Sequence, residues 1–200
     1  MMEFSKIIHT RYSCRNFKDS MLKEQDLEFI LEAGRLAPSS LGLEPWIFYV
    51  VQDSKKKQEI ANIANHQSHV EHCGAIIIIV SRLDFGEYFE SKLRERNLKE
   101  EELQKRLKLY KPFIDGMHEE RKLSYAREQA HLALMNMANA ATSCNLASCI
   151  VGGFDNRALD KYLGLSSKEK SAVMLVVGES KDSTIPEKIR NSKTEVIRFQ

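Results

Sequence analysis

The spacing of apolar positions along the chain predicts helices that alternate with strands. Phe4, Ile7 and Ile8 follow helical spacing that stops before Arg11, and a second helical pattern stops before Pro38, because the residue before a proline avoids the helical region. Short apolar runs rich in β-branched residues predict strands at 47–51, 75–80, 147–151 and 172–177. The run at 75–80 is apolar at every position, which predicts a strand buried on both faces.

The strongest helical pattern covers residues 121–144. Small residues recur there at intervals of three and four, and neither glycine nor proline interrupts them. Another backbone can approach such a face closely, so we expect this helix at the centre of the fold, against the sheet or a second subunit. Shorter helices are predicted from about 55 to 64 and from Asp155, a helix-capping residue, to Leu163.

A charged excursion at about 87–118 breaks this alternation. Its part from 89 to 111 carries only a thin apolar stripe, formed by Leu103, Leu107 and Tyr110, and predicts a surface helix or lid outside the core. A solvated helix with internal ion pairs is favoured over a nucleic-acid-binding arm. The tail at about 186–200 is polar until Val196 and Ile197. We expect one domain over residues 1–200, of the α/β or α+β class with a central sheet.

Composition excludes several classes of protein. With 30 basic and 28 acidic residues the formal net charge is +2, which argues against a dedicated nucleic-acid binder. The longest apolar run is too short to cross a bilayer, and the amino terminus lacks the pattern of a secretory signal. The 4 cysteines are scattered, which is typical of reduced thiols. We expect a soluble, cytoplasmic protein without a membrane or nucleic-acid partner.

Four distant segments carry residues suited to binding chemistry. R-Y-S-C-R at 11–15 could clamp a phosphate, and the loop P-S-S-L-G-L-E-P-W at 38–46 offers hydroxyls and close backbone approach. The glycine pair in I-V-G-G-F-D at 150–155 lets backbone N–H groups face a flat ligand, although it lacks the spacing of a dinucleotide fingerprint. K-I-R at 188–190 adds two cations. Taken singly, each segment also fits an ordinary turn.

Together and in this order, the four segments resemble the FMN-dependent nitroreductase family. The pattern is R-x-S-x-[KR], P-S-S-x-x-x-x-P-W, x-G-F-D at a strand end and a late K-x-R, and it extends from Ile7 to Ile197. The residues of the first and third motifs are most similar to those of the bacterial oxygen-insensitive NAD(P)H nitroreductases, including the nitroimidazole-activating branch. The resemblance implies an α+β nitroreductase-like fold: a central, mostly antiparallel sheet flanked by helices, in an interlocked homodimer whose carboxyl-terminal arm reaches the partner.

The resemblance also implies a role for each matching residue. Arg11 and Ser13, with Lys188 and Arg190, would bind the phosphate and ribityl chain of FMN, and Gln129 would reach the ribityl hydroxyls. The remaining cofactor-binding residues implied in this way are Tyr12, Arg15, Pro38, Ser39, Ser40, His66, Val151, Gly152 and Gly153. Pro38, Ser39 and Ser40 would contact the ring from the partner subunit. No side chain is implied as an acid, a base or a nucleophile, because the flavin carries the chemistry.

Two residues are implied to tune the flavin. Arg15 matches a basic residue near N1 and the C2 carbonyl, where negative charge develops when hydride arrives at N5, and the Gly152 amide would donate to N5. The chain departs from the pattern where His66, His69, Gly42, Glu44 and Gly152 replace an asparagine, a lysine, an asparagine, a glutamine and a glutamate. These departures affect the nucleotide and substrate side of the pocket.

Two further groups of residues have the composition of a metal site or a redox pair. His66, His69, His72 and Cys73 have spacings that are also found in metal sites, but we expect no metal and interpret the segment as a polar helix beside the flavin. Cys144 and Cys149 fit buried thiols better than a redox disulfide.

The resulting functional hypothesis is a two-step hydride transfer. NADPH or NADH would reduce the flavin, and a small, flat, electron-poor acceptor such as a nitroaromatic, a nitroimidazole or a quinone would then take the hydride in the same slot. The alternatives are a flavin reductase, an enone reductase or a dehalogenase on the same scaffold, and a non-catalytic flavin-binding redox sensor.

Overall fold

The computed structural model describes residues 2–200, so that Met1 of the predicted domain lies outside it. Four strands form one sheet in the order β1-β2-β4-β3, and every neighbouring pair is antiparallel. The strands are β1 (Trp46–Val51), β2 (Ala75–Arg82), β3 (Ala147–Val151) and β4 (Glu169–Gly178). The predicted α+β fold with an antiparallel central sheet is therefore confirmed.

Helices cover both faces of the sheet. The helices are α1 (Phe4–Thr10), α2 (Glu24–Arg35), α3 (Ser54–Ile63), α4 (Ser68–Glu71), α5 (Phe85–Arg94), α6 (Glu100–Asp115), α7 (Glu119–Ser143), α8 (Asn156–Leu163) and α9 (Lys193–Val196). None of them is long and apolar enough to cross a membrane, within residues 2–200.

The central strand β2 supplies alternate residues to two separate cores. Ile77 and Ile79 pack with α2 and α7 on one face, while Ile76 and Ile78 pack with α3, α4 and α8 on the other. Residues 75–80 are fully buried, as their unbroken apolar run predicted. Such runs are more typical of parallel sheets, but here helices bury both faces of an antiparallel one.

The long helix α7 lies at the centre of the molecule, as predicted. Its small residues Ala130, Ala133 and Ala141 pack in the core shared with β2 and β4. Gly34 of α2 brings that helix against Met137 of α7. The predicted cap of α8 is also present, since the Asp155 carboxylate accepts a hydrogen bond from the backbone N–H of Ala158 at 3.0 Å.

The expectation that residues 89–111 lie outside the core is wrong. The segment forms two helices, α5 and α6, and together they bury a third hydrophobic cluster with Leu43 and Tyr125. Phe89, Leu93 and Leu103 are buried there, although charged residues surround them in the sequence. Their apolar partners come from distant parts of the chain, so that the thin stripe on one helix underestimates the buried surface. We call residues 85–115 the helical excursion.

Candidate active site

The segment 11–15 lies in extended conformation beside the outer edge of β3. Ser13 forms a parallel bridge with Ser148, and the backbone N–H of Cys14 donates to the Ser148 carbonyl at 3.1 Å. Alternate residues of an extended segment share a face, so Arg11, Ser13 and Arg15 follow the direction of β3. The sequence motif is therefore a row of polar groups along an edge strand.

The residues between them anchor this row. The Tyr12 hydroxyl hydrogen-bonds Ser180 at 2.8 Å and donates to the Asp182 carboxylate at 2.9 Å, and the Cys14 side chain is fully buried. Burial is the main cause that raises the pKa of Tyr12 to about 12. Tyr12 was predicted to bind the cofactor, and in the structure its hydroxyl contacts the residues that follow β4. The ligand-facing role of Tyr12 stays a prediction.

Three cations converge at the start of this row. The Lys188 ammonium donates to the Arg11 carbonyl, across most of the chain length. Partial burial, together with the positive charges of Arg11 and Arg190, lowers the pKa of Lys188. Mutual repulsion of this kind marks a place where an anion would be stabilised. The motif at 188–190, which is a weak signal by itself, thus meets the motif at 11–15.

A cavity opens beside Arg11, one of these cations. It has a volume of about 320 Å³, and its lining includes Lys6, Arg11, Ser148 and Ile185. The Ser148 hydroxyl is buried and has no hydrogen-bond partner in residues 2–200. An unpaired buried hydroxyl costs free energy unless a ligand or water satisfies it, so this end of the row is suited to a polar ligand group.

At its other end β3 leads to the glycine pair. From Ser148 to Gly152 the extended backbone covers about 13 Å at roughly 3.3 Å per residue. A Cβ atom built on Gly152 would have no neighbour within 4 Å, and φ at Gly152 is not in the left-handed region. Glycine is therefore not needed there for the fold, and it leaves open space above the end of the strand.

Two side chains that the sequence analysis missed hold this end in place. Asn65 and Gln67 donate their side-chain amides to the Gly153 carbonyl at 3.0 Å and 2.8 Å. They are adjacent to His66, where the family pattern places an asparagine. Only contact with a glycine from another element reveals their role, and a single sequence does not contain that contact.

The histidine segment is not the continuous polar helix that was expected. His66 has a φ of 56° in a turn between α3 and α4, and its ring hydrogen-bonds the Asn62 side chain at 3.1 Å. His69 is buried on α4, and burial, followed by the positive charge of Arg15, lowers its pKa. Arg15 and His69 thus lie near one another at the glycine end of the row. Within residues 2–200 no cluster of His, Cys, Asp or Glu side chains is suited to hold a metal ion.

Residues 38–45 form a second group, which we call the serine loop. The Gln129 carboxamide oxygen accepts a hydrogen bond from the Ser40 backbone N–H at 2.7 Å, and the Ser39 hydroxyl accepts one from the Glu44 N–H at 2.9 Å. Pro38 leads into the loop, and the buried Trp46 at the start of β1 anchors its far end. Gln129 and the two serines, which were predicted separately, therefore form one cluster.

The structure leaves these two groups apart within one chain. No hydrogen bond in residues 2–200 joins the row formed by Arg11, Ser13 and Arg15 to the cluster of the serine loop and Gln129. Val151 ends β3 as a buried residue and Ile150 beside it is partly exposed. All four cysteines have free thiols, Cys144 and Cys149 included.

Comparison with known proteins decides the family. A sequence model of the nitroreductase family matches residues 8–179. The chain belongs to this family. The resemblance drawn from the four motifs is thus confirmed, and with it the prediction of an oxidoreductase-type enzyme family.

Relatives and solved structures agree with this assignment. An oxygen-insensitive NADPH nitroreductase of Helicobacter acinonychis is 26% identical over 199 residues, which cover 97% of this chain and 95% of the relative. A protein of Exiguobacterium sibiricum, solved in complex with FMN, has a TM-score of 0.88 at 20% identity, with 100% of this chain and 98% of the other covered. The enone reductase CLA-ER from a gut bacterium has a TM-score of 0.87 at 17% identity, with 100% and 98% covered. At these identities the two structures show the nitroreductase fold alone.

Proposed function

We propose that the protein is an FMN-dependent NAD(P)H oxidoreductase of the cytoplasm that reduces small, flat, electron-poor compounds, with nitroaromatics, nitroimidazoles or quinones as the acceptors. The observation that carries the proposal is the row along β3, with a cluster of cations at one end and an open glycine pair at the other. A ligand with a phosphate at one end and a flat ring at the other fits such a row. Family membership and four free thiols agree with it.

The phosphate end suits the phosphate of FMN. The positive charges of Arg11 and Arg190 both repel that of Lys188, and a phosphate with nearly two negative charges would relieve this repulsion. The unpartnered Ser148 hydroxyl in the adjoining cavity could donate to the same group or to the ribityl chain. Ser13, which is bridged to Ser148, lies between the phosphate end and the ring end.

The ring end suits an isoalloxazine. FMN supplies the capacity to accept hydride from a nicotinamide and to pass it on. Arg15 would contribute a fixed positive charge beside the ring, and the Gly152 amide a hydrogen-bond donor, while the side chains of Asn65 and Gln67 hold the Gly153 backbone in place. In this scheme the chain binds and orients the cofactor, and none of its side chains acts as an acid, a base or a nucleophile.

A homodimer would complete the site. The serine loop and Gln129 make no hydrogen bond with the row along β3 in their own chain, and a second copy could bring its serine loop to that row. Exposed apolar residues of α7, Leu132 and Met135, offer a surface for such an association. The small, flat acceptor would then bind in a slot between two chains.

The tail at 186–200 is suited to reach the partner. Val196, Ile197 and Phe199 are exposed, and Phe199 is 96% exposed, which is unusual for a large apolar side chain. No strand within residues 2–200 pairs with the outer edge of β1. An extended apolar segment can add to such an edge through main-chain hydrogen bonds. We therefore propose that the arm of one chain packs against β1 of the other.

The decisive experiment follows the absorbance of the purified protein. We expect it to retain or take up FMN, with absorbance near the ~450 nm of free flavin, and to lose that absorbance rapidly when NADPH is added without oxygen. A protein that ignores added FMN contradicts the cofactor assignment. A protein that binds FMN but bleaches slowly with both NADPH and NADH is a redox sensor and not an enzyme. Rates with nitrofurazone, menadione, an enone and free FMN then rank the acceptors.

A further inference from the structure

The serine loop is attached to the helical excursion by two polar contacts and one apolar contact. The Arg96 guanidinium donates to the Leu41 carbonyl at 2.7 Å, and the Lys92 ammonium approaches the Glu44 carboxylate at 3.2 Å. Leu43 lies between these contacts and is fully buried among the aromatic residues of the excursion. The loop is therefore held from the side of α5 as well as from the side of Gln129.

The loop has a backbone that needs such support. Leu41, Gly42 and Glu44 have φ values of 55°, 59° and 46°, in the left-handed region that non-glycine residues rarely adopt. Two of these three residues, Leu41 and Glu44, are not glycine, so that the loop would relax without external contacts. At this strained turn the Leu41 carbonyl accepts a charge-assisted hydrogen bond from the Arg96 guanidinium.

The position of the Arg96 guanidinium requires a residue without a Cβ atom at position 42. A Cβ atom built on Gly42 would lie 1.9 Å from Nη2 of Arg96, the nitrogen that binds Leu41. Any side chain at position 42 would push the guanidinium away from the loop. The family pattern commonly has an asparagine at this position, and the departure to glycine makes room for the arginine. Likewise, Glu44 replaces a glutamine and faces Lys92.

We infer that Arg96 is a positioning residue for the reaction. By fixing the turn at Leu41 it would hold Ser39 and Ser40 in the geometry in which they meet the flavin. Their contacts on the other side, to Glu44 and Gln129, complete the support. The role toward the flavin rests on the proposed function, whereas the ordering of the loop by Arg96 does not. The Lys92–Glu44 pair is partly exposed and contributes little by comparison.

The test compares four single variants and the double variant Arg96→Ala/Gly42→Ala with the unchanged protein. Arg96→Ala removes the contact, Arg96→Lys keeps one charged donor, and Gly42→Ala displaces the guanidinium. Arg94→Ala is the matched control, because Arg94 is the last residue of α5, two positions before Arg96, and pairs with Glu90 and Glu100 without reaching the loop. Thermal unfolding of each variant checks that the fold is intact.

The first measurement is backbone amide exchange without added flavin. The N–H groups of Ser40, Gly42 and Leu43 all donate within the loop or to Gln129, so their exchange reports its order. We expect faster exchange at these amides in Arg96→Ala and Gly42→Ala, partial restoration in Arg96→Lys, and no change in Arg94→Ala. Exchange at the level of the unchanged protein in Arg96→Ala overturns the inference.

The second measurement is the rate at which NADPH reduces the FMN-loaded protein without oxygen. We expect Arg96→Ala and Gly42→Ala to slow this step by roughly 10- to 100-fold, since a displacement of about 1 Å at reacting groups has effects of this size. The double variant Arg96→Ala/Gly42→Ala should lose less than the product of the two single losses, because both substitutions remove the same contact. Faster exchange with an unchanged rate also overturns the positioning role. If the unchanged protein takes up no flavin, the proposed function fails, and amide exchange alone then decides whether Arg96 orders the loop.

Discussion

Arg15 and Arg190 are both arginines of the proposed flavin site, yet they serve its opposite ends. Arg190 belongs to the cation cluster with Arg11 and Lys188, and there it would contribute only to binding the phosphate. Arg15 lies near His69 at the glycine end, where a positive charge would act on the ring itself. Loss of the Arg190 side chain should therefore affect FMN binding, whereas loss of the Arg15 side chain should affect turnover.

We predict that Arg190→Ala raises the dissociation constant of FMN by roughly tenfold or more, because a hydrogen bond to a charged group contributes about 1.5–3 kcal/mol. Arg15→Ala should instead lower turnover while FMN retention changes less. Flavin fluorescence on titration gives the affinity, and steady-state kinetics at saturating FMN gives turnover. Equal loss of flavin in both variants would contradict the separate roles.

The residues of the site were only partly predictable from the sequence. The family motifs include Arg11, Ser13 and Lys188, and the structure brings these residues together. Asn65 and Gln67 gave no such signal, because their function is contact with the Gly153 carbonyl, and asparagine or glutamine in a turn is common. Arg96 was likewise one charge among many in a charged segment. A side chain that acts through one tertiary contact is invisible to pattern and spacing.

At the scale of elements, β3 and β4 show how closely the strand ends are packed. Gly178 ends β4, and a Cβ atom there would lie 2.9 Å from the backbone nitrogen of Gly74 and 3.0 Å from the Phe17 ring. A backbone atom has no alternative rotamer, so the two segments would have to separate. Gly152 beyond the end of β3 is the reverse case, with open space around it.

We predict that Gly178→Ala lowers the free energy of unfolding by about 1–3 kcal/mol, the usual cost of overpacking. Gly152→Ala should leave it nearly unchanged in the absence of flavin. Urea unfolding of both variants, followed by circular dichroism, makes the comparison. A Gly152→Ala variant that is as unstable as Gly178→Ala would show that the space above β3 is not free in solution.

Helices and strands were predictable from the sequence where the local pattern of apolar and small residues is enough to identify them. The small-residue repeat of α7 and the unbroken apolar run of β2 each predicted the right element in the right place. The sequence also predicted helix in the helical excursion, but its burial did not follow from the pattern, because Leu93 and Leu103 pack in a cluster with residues of α7 and the serine loop. Strand direction was equally hidden, since burial on both faces gives the same apolar run in parallel and antiparallel sheets.

At the scale of the whole molecule, the proposed assembly joins two half-sites. The exposed apolar tail and the outer edge of β1 are two of the surfaces that one chain leaves uncovered within residues 2–200. If they meet across a dimer, each row along β3 receives the serine loop of the other chain. Activity would then depend on protein concentration.

Light scattering should therefore give a mass of twice the 23.0 kDa of one chain. Ile197→Asp combined with Phe199→Asp should shift the protein toward the single-chain mass and weaken FMN binding in parallel, because a charge at an apolar interface is costly. Met21→Asp, at an exposed apolar residue outside the arm, is the control. A 23.0 kDa species of the unchanged protein that still binds FMN would refute the shared site.

The register of the central strand bears on how the chain reaches its native state. Ala75 of β2 pairs with Val177 of β4, so that one edge of β2 stays unpaired until a distant part of the polypeptide has been synthesised and has docked. Long-range pairing of this kind slows folding. Meanwhile A-I-I-I-I-V stays available to other molecules, and uncharged β-branched stretches associate readily. Aggregation during synthesis or after heating therefore competes with the pairing of β2 and β4.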